Sequence, residues 1–263
     1  MKLIKSVWSY RDFILGSVKK EFQFKYMNSL LGPSWAVINP LAMIIVYTVI
    51  FSQVMRAKVP GGDSTFGYSI YLCAGILSWG LFNEIVSKAQ YMFLENANLM
   101  KKIKFPKICI PTIVVINAMI SFLIIFGLFS LFLLATGNFP GVTFLALIPL
   151  LIVLIAFAIG LGMTLGIINV FFRDVAHVFG IFLQFWFWLT PIVYPINALP
   201  DVVANFMALN PMAPLIAGFQ NVLVLNHWPN WVDLLYPLIL AALLCLQCNS
   251  LLHKHGADMM DEL

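Results

Sequence analysis

Few residues in this chain are of types that do acid–base, redox or metal chemistry, and their spacing argues against each. Cys245-x-x-Cys248 has the spacing of a ligand pair, but it lies in an apolar stretch and lacks the second pair of a tetrahedral zinc site. It also lacks the soluble βαβ setting of a redox dithiol. Cys73 and Cys109 lie within or beside other apolar stretches, so the four cysteines read as structural filling. His177, His227, His253 and His255 are scattered, and no metal-ligating set is expected. A glycosyltransferase or hydrolase would want convergent carboxylates, and none is evident. Nor is there a G-x-x-x-x-G-K-[ST] phosphate loop. ATP-driven work by this chain therefore needs a nucleotide site on another polypeptide.

The elements that carry these residues are set by composition. The 263 residues are 62% hydrophobic and 10% charged, with mean hydropathy +0.95. That leaves too little polar surface for a soluble globule. Apolar stretches run from about Ser34 to Met55, Phe66 to Val86, Cys109 to Thr136, Val142 to Phe172, Val175 to Val193 and Trp231 to Leu252. About 20 helical residues cross the hydrocarbon core, which predicts six transmembrane helices. Thirteen of the fifteen Lys and Arg residues fall at one end of these stretches. Only Arg56 and Lys58 fall at the other, so the positive-inside rule places both termini in the cytoplasm. The net charge of +4 suits a basic face against anionic lipid and needs no nucleic acid.

Before the first span, Ile4, Val7, Trp8, Ile14, Leu15, Val18 and Phe22 recur at helical spacing, opposite Lys2, Lys5, Ser9, Asp12 and Lys20. This predicts an N-terminal amphipathic interfacial helix, with Arg11 snorkelling from its apolar stripe. It serves as a plain anchor or as a helix that also contacts a partner. Arg11, Asp12, Lys19 and Lys20 interrupt any apolar core, so no secretory signal is expected there. The expected organisation is one membrane domain over 1–263: an interfacial segment (1–33), a six-span bundle (34–252) and a cytoplasmic tail (253–263).

Proton- or ion-coupled carriers hold ionisable residues at mid-depth, whereas here Glu84 and Asp233 lie near the expected span ends. A secondary carrier is disfavoured. Asn39, Asn83, Asn117, Asn169, Gln184 and Gln247 give the spans polarity without charge. Aromatic residues are plentiful, with Tyr47 and Phe51 at i, i+4 and Phe185-Trp186-Phe187-Trp188 in the fifth span. Rings that stack on sugar C–H faces, with neutral amides for hydroxyls, suit a moving glycan. Tyr47, Phe51, Phe185 and Trp188 are candidate channel-lining residues, although four consecutive residues point all round a helix and some must meet lipid or neighbours. Gly160-Leu-Gly162-x-x-x-Gly166 offers a flat face for close helix packing.

Three further segments are informative. Tyr26-Met-Asn-Ser29-Leu-Leu31-Gly32-Pro33-Ser-Trp35 predicts a tight corner between surface helix and first span. Glu95-Asn-Ala-Asn-Leu99-Met100-Lys101-Lys102-Ile-Lys104-Phe105-Pro106 predicts a short basic amphipathic helix stopped by Pro106, fit for a groove on a cytoplasmic protein or for a solvated basic loop. On the opposite side, about 37 residues from Tyr194 to Asn230 lack Lys and Arg and are too apolar for a free loop. Two short helices, Asp201 to Leu209 and Met212 to Leu225, broken at Asn210-Pro211, predict a re-entrant hairpin before the last span. It acts as an outer gate framed by Tyr194 and Pro195, or lies on the lipid surface.

These segments, with Phe172-Arg173-Asp174 and Thr190-Pro191-Ile-Val-Tyr194-Pro195, make the chain resemble the membrane subunits of ABC-2 type polysaccharide exporters over nearly its whole length. It is most similar to O-antigen exporter permeases, with teichoic acid and group 2 capsule exporters as relatives. The resemblance implies a channel formed with a second copy, docked on two ABC ATPase subunits that hold ATP and Mg. It implies that Glu95, Asn96, Leu99, Met100, Lys101, Lys102, Phe105 and Pro106 form the coupling element. It places Tyr26, Ser29, Leu31, Gly32, Trp35, Arg173 and Asp174 near the cytoplasmic entrance for a glycan on undecaprenyl diphosphate. The implied location is the bacterial cytoplasmic membrane, and the chain itself would catalyse no bond change. Relatives often carry Arg soon after Asn-Pro; here the stretch reads Gly218-Phe219-Gln220-Asn221. An ABC-2 exporter of small drugs or lipids, or a membrane enzyme of glycan assembly, are the alternatives.

Overall fold

The computed structural model describes residues 8–26, 31–49, 66–102, 106–196, 200, 202, 206–256 and 258–262, and all regular structure among them is helical. We number the helices α1 (Arg11–Tyr26), α2 (Trp35–Thr48), α3 (Gly67–Glu95), α4 (Ala97–Lys102), α5 (Cys109–Ala135), α6 (Leu147–Phe171), α7 (Asp174–Trp188), α8 (Met212–Leu225), α9 (Leu235–His255) and α10 (Asp258–Glu262).

Among the described residues, four helical segments are long and apolar enough to cross a membrane: α3, α5, Gly141–Phe171 (a 3₁₀ turn running into α6) and α9. α2 is described for 14 residues and α7 for 15. At 1.5 Å per residue α7 reaches about 22 Å, short of the roughly 30 Å core. The chain turns after Trp188, where the backbone N–H groups of Leu189 and Thr190 close on Phe185 and Phe187. The fifth helix is thus shorter than the expected Val175 to Val193. α3 is longer than expected, continuing through Glu95.

α3 and α6 form the centre. α5, α8, α7 and α2 pack on α3, and α9 covers α6. α3 is the least apolar of the four long helices and the most buried. In a bilayer the lipid-facing surface must be apolar while the bundle interior admits polar groups, so Ser69, Ser78 and Gln90 sit buried on α3. Close contact of α3 and α6 depends on missing side chains. A Cβ on Gly162 would lie 2.6 Å from that of Ala89, and one on Gly166 would lie 2.4 Å from the Ala89 carbonyl oxygen. Gly160 gives the same approach to α9, where its Cβ would stand 3.0 Å from Leu244 Cβ. The flat face expected from the sequence serves two helix contacts at once.

α1 lays Ile14 and Val18 against Cys109 at the start of α5, while Leu15 on the same helix and Trp8 before it remain exposed. The cysteines behave as packing groups. Cys73, Cys109 and Cys248 are buried, and the Cys245 thiol faces the Ala156 carbonyl at 3.6 Å.

Candidate functional site

Of the expected entrance corner, residues 27–30 lie outside the described residues, and the chain is described again from Leu31. Gly32 takes φ +52, a left-handed conformation that a side chain would strain, and a 3₁₀ turn through Ser34 starts α2 at Trp35. Trp35 is half exposed and lines a cavity of about 420 Å³ with Phe22, Asn39, Pro40 and Ser121. Pro40 removes one backbone bond inside α2 and faces α3 across a second cavity, lined by Asn39, Met43, Gly80 and Glu84. Leu31 is exposed. Ser29 lies outside the described residues, as does the side chain of Tyr26, whose backbone ends α1. Arg173 and Asp174 start α7 and are exposed. They belong to the α6–α7 junction, whereas the corner packs on α5 and α3. Buried Asn169 ties that junction to α3: its Nδ2 donates to the Gln90 carbonyl at 3.0 Å, and its Oδ1 accepts the Ala176 N–H at 3.2 Å.

The expected coupling helix is shorter than its sequence segment. Glu95 is the last residue of α3 rather than the first of a new helix. Asn96 makes the break, because its side chain donates to the Met92 carbonyl at 2.8 Å while its own carbonyl accepts the N–H groups of Leu99 and Met100. α4 then exposes Lys101 and buries Met100 among Met92, Phe93, Met163 and Met259. Leu99 and Pro106 are half-buried; Phe105 and the Lys102 side chain lie outside the described residues. No local residue pattern signals the contribution of α10 to this packing. α10 folds back on α4 and α6, Met259 is fully buried, and Lys107 Nζ donates to the Gly256 carbonyl at 2.7 Å. α10, within the segment expected as a cytoplasmic tail, thus packs beneath α4.

Of the candidate channel residues, Phe51 and the Tyr47 side chain lie outside the described residues. Phe185 and Trp188 are both exposed. Trp188 borders a notch of about 480 Å³ between α3 and α7, whose other walls include Trp79, Asn83, Ser87, Gly180 and Gln184; Phe185 is not among them. Asn83 and Ser87, at i, i+4, present a neutral polar strip opposite Gln184. Their spacing was the available sequence signal for this strip. The central aromatic is Trp186, packed edge-on to Trp79 and Phe82 at 5.9 and 5.3 Å.

At the opposite end, Asn210 fastens the expected gate. Its Oδ1 accepts from Trp186 Nε1 at 2.9 Å and from the Met212 N–H at 3.0 Å, and its Nδ2 donates to Thr190 Oγ1 at 2.9 Å. Pro211 precedes α8, which agrees with the second predicted short helix; of the first, residues 201 and 203–205 lie outside the described residues. Tyr194 donates its hydroxyl to the Trp188 carbonyl at 2.7 Å, and Tyr71 donates to the Tyr194 carbonyl at 3.2 Å. Pro195 lines a cavity of about 620 Å³ with Tyr71, Gln220 and Tyr236. Gln220 is buried and its Nε2 lies 3.4 Å from the Ile192 carbonyl, so a neutral amide fastens α8 to the turn.

A helical bundle with membrane-length helices, a short basic helix after α3 and a polar–aromatic notch between α3 and α7 has the architecture of a multi-pass membrane protein. The ABC-2 type transporter family matches residues 14–224, and the chain belongs to that family. It is therefore a multi-pass membrane protein whose family works with ABC ATPases. It is 28% identical over 233 residues to an O-antigen export system permease protein RfbA of Myxococcus xanthus, covering 88% of this chain and 87% of that protein. A Klebsiella pneumoniae RfbA is also 28% identical, covering 86% and 85% of the two chains. The polysialic acid transport protein KpsM of Escherichia coli is 21% identical, covering 82% and 83%.

Proposed function

We infer that this chain is the membrane subunit of an ATP-driven polysaccharide exporter, working as a homodimer with two ABC ATPase subunits. The observation that carries the reading is the notch between α3 and α7, where neutral Asn83, Ser87 and Gln184 stand beside the rings of Trp79 and Trp188. Uncharged hydrogen-bonding groups and aromatic faces hold sugars without fixing one sequence of them, as a sliding polymer requires. The relatives named for O-antigen export and polysialic acid transport support the same substrate class.

The cargo is a lipid-linked, O-antigen-like polysaccharide carried on undecaprenyl diphosphate from cytoplasm to periplasm. It enters at the corner formed by Tyr26, Ser29, Leu31, Gly32 and Trp35, with Arg173 and Asp174 contributing to the entrance separately, from the α6–α7 junction. α4 and its flanks dock on the ATPase, which binds ATP and Mg. The outer end is gated by the turn holding Tyr194 and Pro195 and by the re-entrant segment at Asn210 and Pro211. α2 and α7 complete six spans, with both termini cytoplasmic in the bacterial inner membrane and α1 lying at the interface.

Deletion of the gene tests the reading. Full-length polymer trapped inside on its lipid carrier is the expected result. Truncated glycan would assign the chain to synthesis, and normal surface polymer would favour export of small drugs or lipids.

A further inference from the structure

Lys88 joins α1 to α3. Its Nζ lies 3.1 Å from Glu21 Oε1 on α1 and 3.1 Å from Glu84 Oε1, one turn earlier on α3. Asn117 Nδ2 on α5 donates to the other oxygen of Glu21. Ser121 Oγ, one turn along α5, donates to Glu84 Oε1 at 3.5 Å. The i, i+4 spacing of both pairs turns two helix faces toward one cluster. Glu84, expected near a span end, and Lys88 both lie inside α3, which continues through Glu95.

Charges inside a spanning helix are costly unless paired, and removing one partner strands the other. Lys88 is flanked by two carboxylates, each of which has a further donor on α5. The remaining contacts of α1 with the bundle are largely apolar, as at Ile14 and Val18 against Cys109. Apolar contacts are non-directional and let one helix slide on another; a bridge of charged hydrogen bonds does not. Lys88 stands about 12 Å along α3 from the Asn96 break at helical rise. A displacement at that break reaches Lys88 through one unbroken helix.

We propose that the Glu21–Lys88 pair is a strut that makes α1 follow α3, so that movement of the coupling junction is delivered to the entrance corner that follows the C-terminal end of α1. Lys88 and Glu21 are positioning residues in this role. The inference rests on reading α4 as the ATPase contact and the corner as the entrance.

The test uses the full complex with its ATPase partner in lipid nanodiscs, spin-labelled at Gly16 on α1 and Gly80 on α3, positions with open space around them. Wild type should give one narrow label distance with and without nucleotide. Lys88→Met and Glu21→Gln should broaden that distance and lower export in cells by about tenfold, while ATP hydrolysis persists. Lys88→Arg, which keeps the bridge, should resemble wild type in both readouts. A Lys88→Met complex that retains the narrow distance or exports normally overturns the strut, as does a Lys88→Arg complex that fails equally. The label distance needs no cargo, so a wrong substrate assignment would show in the gene deletion and leave this result standing.

Discussion

The indole nitrogen of Trp186 donates to the carboxamide oxygen of Asn210 across 2.9 Å, joining the aromatic centre of the bundle to the start of α8. One end of the bond is a ring packed against α3, and the other is an amide that also holds Thr190 and the Met212 backbone. Asn210→Ala should leave the half-buried indole N–H unpaired, costing about 1–3 kcal/mol. Trp186→Phe should cost less, since it keeps most of the ring. Thermal unfolding of detergent-purified protein gives the order of the two, and a larger loss for Trp186→Phe would contradict it.

Gly166→Ala forces a Cβ to within 2.4 Å of the Ala89 carbonyl oxygen, so α3 and α6 must separate. Overpacking of this kind costs about 1–3 kcal/mol or more. Gly180→Ala meets nothing within 4 Å and serves as the control. Yields of monodisperse protein should fall sharply for the first and stay level for the second.

Asn83→Leu and Gln184→Leu would make the α3–α7 notch apolar without adding charge. On the proposed export of polysaccharide, export should fall by about tenfold in each, with assembly and ATP hydrolysis kept, because only the proposed contacts to sugar hydroxyls would be removed. Phe185→Leu, outside the notch, should export nearly as wild type. Surface polymer measured beside ATPase activity separates these outcomes.

Met259→Ala opens a cavity beneath α4, at a cost of about 2–5 kcal/mol for a fully buried methionine. The loss is local to the packing of α4, Met100 and α10. Amide hydrogen exchange should rise first in α4, and the ATPase should co-purify in smaller amount. Unchanged exchange in α4 would show that α10 does not brace it.

Much of the fold was legible because bilayer physics acts on sequence directly. Long apolar stretches, the Gly32-Pro33 corner, the small-residue face of α6 and the start of α8 after Pro211 all follow from local composition or backbone chemistry. Helix ends were less legible. Asn96 divides α3 from α4 through a side-chain bond to Met92, while the turn after Trp188 depends on Tyr71 and Asn210 reaching across from other elements.

By itself the sequence determined that this protein lives in a membrane, which segments are apolar enough to cross, and that no phosphate loop is present. These follow from residue types and their local order, which partition between water and lipid before any helix meets another. Only the tertiary structure decided that Trp186 rather than Phe185 joins the aromatic centre, that Lys88 meets Glu21, and that Met259 lies beneath Met100. Each of these contacts joins residues distant in the chain. Which face of an apolar helix turns inward is settled by the shapes of its neighbours, because lipid and protein interior are nearly alike to an apolar side chain.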